Sequence, residues 1–126
     1  MRPRPTMKSI WGELFPTEAD SYDNNIVEVL FDSRPIGRMH TASDAFGKLE
    51  ISVDINPFNK ADVQGKTVRR RLTAKEAFVF GFPAREFLVG QMIKDIRLYP
   101  DIIRFDLTTT GSLLRFECES YSIDEV

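Results

Sequence analysis

The stretch IRLYPDIIRFDLTTTGSLLRFE, residues 96–117, constrains this chain more than any other. Apolar and polar residues alternate through it with a period of two, and two turn signals interrupt it. Successive side chains of a β-strand point to opposite faces, so the alternation predicts strands with one buried side. The inner side carries Ile96, Leu98, Ile103, Phe105, Leu107, Leu114 and Phe116, with Cys118 continuing it. The outer side then carries Asp95, Arg97, Arg104, Asp106, Arg115 and Glu117. Pro100 presets φ for the first turn, and Asp101 suits its second corner. Gly111 in TTTG supplies the left-handed position of a short hairpin loop. A three-stranded antiparallel meander follows, and its apolar face must be covered.

Upstream, KLEISVDIN is the cleanest single strand, with Leu49, Ile51, Val53 and Ile55 facing in. IVEVLFD is another, with Val27, Val29 and Phe31 on one side and Ile26, Glu28, Leu30 and Asp32 on the other. One short strand fits between Gly37 and His40. Two segments read as helical. Met7, Ile10, Trp11, Leu14 and Phe15 recur at offsets of three and four, although Gly12 costs that helix about 1 kcal/mol relative to Ala. In LTAKEAFVFGF, Thr73 and Glu76 form a capping-box pattern, with Gly81 and Pro83 as the stop. The aromatic, β-branched run AFVF offers strand as the competing reading. PFNKADVQGKTVRRR is polar and predicts a long loop. The expected architecture is α+β: an antiparallel sheet of about five strands with a C-terminal three-stranded meander and one or two covering helices.

The length of 126 residues suits a single domain over 1–126, with the proline-containing residues 1–6 as a loose N-terminal arm. No apolar run is long enough to span a bilayer, and the N-terminus lacks the apolar block of a secretion signal. One cysteine cannot form an internal disulfide, so a reducing, cytoplasmic setting is expected. A net charge of −2 argues against a dedicated nucleic-acid binder, which normally carries a basic excess. Basic residues nevertheless concentrate in the N-terminal arm and in KTVRRR, Lys66 to Arg71.

Catalytic chemistry finds little purchase. A Ser-His or Cys-His pair needs a nucleophile and a positioned third group, and His40 is the sole histidine. Cys118 falls on the apolar side of a strand, which predicts burial. A zinc-type cluster of His and Cys has no second member of either kind. The pair Pro100–Asp101 with Glu117-Cys118-Glu119 approaches a PD-(D/E)xK nuclease pattern, but the lysine two residues beyond the second acid is missing. The glycines are scattered and form no phosphate loop. No catalytic, cofactor-binding or metal residue is assigned, and no enzyme activity is expected.

The pattern FLVGQMIKDIRLYPDIIRFDLTTTGSLLRFECES resembles the C-terminal meander of small bacterial immunity-type proteins of polymorphic and contact-dependent growth-inhibition toxin systems. The shared texture is Leu88-x-Gly90, two alternating strands, and Gly111-Ser112-Leu113 before the last strand. The resemblance covers about a quarter of the chain and carries no functional residue across. It implies an inhibitor that binds a cognate toxin domain, without cofactor or membrane. The partner surface expected from the residues is the outer meander face: Asp95, Arg97, Arg104, Asp106, Arg115 and Glu117. Mixed charge there suits a protein partner better than a phosphate backbone. The alternative is a nucleic-acid-associated accessory or phage-encoded protein using Lys66 to Arg71.

Overall fold

A computed structural model describes residues 8–14, 21–35, 46–58, 67–81 and 88–126. In chain order these form β1 (Lys8–Ser9), α1 (Trp11–Leu14), β2 (Ser21–Phe31), β3 (Arg34–Pro35), β4 (Gly47–Phe58), β5 (Val68–Gly81), β6 (Ile93–Tyr99), β7 (Arg104–Thr109), β8 (Leu113–Glu117) and β9 (Ser120–Glu125). All pairings are antiparallel, in the order β1-β6-β7-β8-β5-β4-β2-β3, with β9 added alongside β5.

The α+β expectation is therefore corrected: among the described residues the fold is nearly all antiparallel β, and the one helix is four residues long. Of the two readings of this segment, strand holds over the capping-box helix: residues 73–81 are the second half of β5. Strand wins there because the segment finds partners on both sides. Residues 70–75 pair with β9, and Ala74 and Ala77 pair with β4. Those ladder bonds and the burial of Ala74, Ala77 and Val79 outweigh a local capping preference. The helical spacing near the N-terminus yields only α1, preceded by β1. The predicted loop also shrinks, since β4 runs to Phe58 and β5 starts at Val68, which puts Arg69, Arg70 and Arg71 in a strand. The N-terminal arm and the strand proposed around Gly37 to His40 lie outside the described residues.

β5 is long and bent. Its first half lies between β4 and β9, and its end pairs with β8. Glu76 sits at the bend with φ of +50°, in the left-handed region. Opposite it, the β8–β9 line breaks at Cys118 and Glu119. There the Cys118 N–H donates to the Ile103 carbonyl at 3.0 Å, and the Glu119 N–H donates to the Lys75 carbonyl at 3.0 Å. Ile103 is itself left-handed, with φ of +41°, an unusual state for a β-branched residue.

The bend wraps the sheet until β2 reaches β6. The Ile26 N–H donates to the Gln91 carbonyl at 2.9 Å, and the Gly90 N–H donates to the Ile26 carbonyl at 2.8 Å. Below that point Asn24 grips the backbone of Ile93. The wall of β2, β4, β5, β8, β7 and β6 thus curls into a small barrel whose seam between β2 and β6 is made by these bonds at Gly90, Gln91 and Ile93, not by a strand ladder. A bulge between Ile26 and Glu28 shifts the β2 register, so that Asn24, Ile26 and Val29 are all buried. This corrects the simple alternation, which placed Ile26 opposite Val29. Inside lie Ile51, Val53, Ile55, Leu72, Ile96, Phe105, Leu107, Leu114 and Phe116. Phe105 stacks on Phe116 and meets Tyr121 edge-on, each with ring centroids 4.9 Å apart. Ile10, just before α1, and Leu14 within it join the same core, and Arg70 Nη1 donates to the Glu13 and Leu14 carbonyls at the end of α1.

Candidate functional site

The outer face of β6, β7 and β8 is set by register. Arg97, Asp106 and Arg115 lie directly across from one another on the three strands, and Tyr99, Arg104 and Glu117 form the next row. The inner residues Ile96, Leu98, Phe105, Leu107, Leu114, Phe116 and Cys118 are buried, and Ile103 is half-buried. Period two then leaves the six outer residues on the solvent side. The structure brings Asp95, Arg97, Arg104, Asp106, Arg115 and Glu117 together on one surface.

Their charges are mostly matched within the face. Arg97 Nε donates to Asp95 Oδ2 at 2.6 Å. Asp106 Oδ1 lies between Arg104 Nε at 3.4 Å and Arg115 Nε at 3.6 Å. Arg104 is further held by aromatic rings, its guanidinium carbon 4.8 Å from the Tyr99 ring centre and 5.4 Å from that of Phe80. The quadrupole of each ring attracts the cation, so three neighbours fix one long side chain. Phe80 itself remains 41% exposed and Leu113 38% exposed on the adjoining strands. The alternation within residues 96–117 does not announce Phe80, which reaches this face from β5.

Arg69 and Arg71 of KTVRRR lie on a second face of β5, directly across from Asp54 and Ser52 of β4. Arg69 Nε and Nη2 donate to the two Asp54 oxygens at 2.6 and 3.1 Å. That bidentate bond holds the Asp54 carboxyl below its ordinary value, against a smaller upward push from burial. Arg71 Nε donates to Ser52 Oγ at 3.0 Å, and its Nη atoms reach Glu28 and Glu50 at 3.7 and 3.6 Å. Arg70 is spent on α1. The described cations of this cluster are thus matched by carboxylates or carbonyls on neighbouring elements, which opposes the all-positive potential that a phosphate backbone needs.

Cys118 lies where the sequence placed it, on the inner side, and burial pushes its thiol up to about 11. His40 and Lys66 lie outside the described residues. Among the described residues no three His, Cys, Asp or Glu side chains converge as metal ligands would, and no helix is long and apolar enough to cross a membrane. No family model matches the chain, and no curated protein or solved structure matches it.

Proposed function

We propose that the chain is an immunity-type protein that binds and neutralises a cognate bacterial toxin domain, docking it on the outer face of β6, β7 and β8. The observation that carries this reading is the fixed Arg104, clamped by Tyr99, Phe80 and Asp106. Arginine and aromatic side chains dominate binding hot spots, and a side chain already immobilised loses little entropy on docking. The resemblance of the meander to immunity-type proteins points the same way. Inhibition by such a face is steric and electrostatic and needs no group transfer.

The test is protection. The chain and the toxin domain encoded beside it are co-expressed in a bacterial host, and growth is followed. Wild type should rescue growth, and Arg97→Glu/Arg104→Glu/Arg115→Glu should not, while both keep the same circular-dichroism spectrum. Rescue by the folded triple variant would remove this face from the interface.

A further inference from the structure

Where β5 bends, a cleft of about 400 Å³ opens at the surface, reaching down to Cys118. It is lined by Phe46, Glu76, Ile102, Glu117, Cys118 and Glu119. Two large apolar side chains stand exposed at its walls, Phe46 at 64% and Ile102 at 52%. Phe46 is held from behind by Phe78, with ring centroids 5.5 Å apart. The turn that presents Ile102 ends in the left-handed Ile103, and the bend that presents Glu76 is itself left-handed.

Among the described residues, the cleft gathers three unpaired carboxylates in one place, whereas several carboxylates on the strands are paired. Glu28, Glu50, Asp54, Asp95 and Asp106 each lie within 4.0 Å of a Lys or Arg nitrogen. Among the described residues Glu76, Glu117 and Glu119 have no such partner, although Arg104 stands opposite Glu117 in the ladder. That arginine is turned instead to Asp106 and the rings. Three like charges beside exposed apolar walls are complementary to a side chain with an aliphatic stem and a cationic head.

We propose that this cleft receives a lysine- or arginine-bearing segment of the protein partner, its stem against Phe46 and Ile102 and its head among Glu76, Glu117 and Glu119. The inference deepens the protein-binding reading above and rests on it. Glu117 is common to the cleft and the meander face, so one partner can engage both. The segment that enters the cleft is basic with apolar interruptions, and it lies at the end of the meander face where Arg104 is fixed.

The probe is a fluorescein-labelled decapeptide alternating Lys and Leu, titrated into the full chain at low salt and followed by anisotropy. Glu76→Gln/Glu119→Gln should weaken its binding at least tenfold, at unchanged melting temperature. Asp124→Asn/Glu125→Gln removes the same charge from β9, on the far part of the strand, and should change binding less than twofold. Equal loss in the two variants would overturn the proposal, because the peptide would then be sensing net charge alone. Equally tight binding of a Glu-Leu decapeptide would overturn it too, since the contact would be apolar only. So would displacement by magnesium or calcium beyond that by sodium at equal ionic strength, which would make the cleft an ion site. The toxin reading fails separately. It falls when the wild-type chain does not rescue growth, whatever the peptide does, and the cleft falls on the peptide data, whatever happens to growth.

Discussion

Asn24 holds both backbone polar groups of Ile93. Its Nδ2 donates to the Ile93 carbonyl at 3.1 Å, and the Ile93 N–H donates to its Oδ1 at 2.7 Å. The side-chain amide so takes the place of a backbone amide and ties β2 to β6 across 69 positions of sequence. Asn24 is 6% exposed, so both bonds are shielded from water. Asn24→Ala would strand two buried backbone groups, each costing about 1–3 kcal/mol. A loss of about 3 kcal/mol in chemical denaturation is expected. Asn24→Asp keeps the acceptor but buries a charge. Its folded-state pKa is expected above the unfolded value of about 3.9, so its deficit should shrink as pH falls toward that value. A variant as stable as wild type at neutral pH would mean that the seam is held elsewhere.

Phe105 is fully buried at the centre of the barrel, between Phe116 and Tyr121. Phe105→Ala should cost about 3–5 kcal/mol, the range for a truncated core phenylalanine. A denaturation midpoint close to wild type would reverse the inner and outer faces of the meander.

Glu76→Gly should stabilise the protein. Glu76 is exposed and left-handed, so glycine loses no packing and relieves a backbone cost of about 1–3 kcal/mol. The greater freedom of glycine in the unfolded chain offsets about 0.5–1 kcal/mol of that. A rise in melting temperature is expected, together with weaker binding of the Lys-Leu peptide. A fall in melting temperature would show that the bend needs the Glu76 side chain.

The Asp54–Arg69 pair predicts a small acid-dependent term. Because Arg69 lowers the Asp54 pKa, its stabilisation is present above the unfolded value and is lost as pH falls through the lower folded value. The pair is largely solvent-exposed, so its contribution is small. The melting-temperature gap between wild type and Asp54→Asn should therefore narrow as pH falls below about 4. A gap that stays constant through that range would exclude the linkage.

The meander was legible because strict alternation reports one buried face, and of its predicted inner residues only Ile103 is half-buried rather than buried. Leu49, Ile51, Val53 and Ile55 marked β4 by the same logic. β5 was not legible, for two reasons. Thr73 and Glu76 satisfy a helix-start pattern that only the neighbouring strands overrule. Arg69 and Arg71 look like a solvated loop until Asp54, Glu50 and Glu28 appear beside them, and those lie on other strands. The bulge at Val27 was hidden because it moves Ile26 to the core without altering the apolar count. For the candidate site, the six charged residues followed from the alternation, but the clamp on Arg104 did not. It needs Phe80, which reaches the face only through the bend of β5. The cleft needed the same bend, because Phe46, Glu76 and Ile102 come from three separate segments.

β5 belongs to both halves of the barrel. Val68 to Lys75 is shared with β4 and β9, and Phe78 to Gly81 with β8. Neither half has a boundary at which it could detach, because removing one exposes the ladder edge of the other. Melting should accordingly be all-or-none, with fluorescence and circular dichroism tracing a single transition. A cut anywhere in β5 should leave two fragments that are unfolded apart and that regain structure only when mixed.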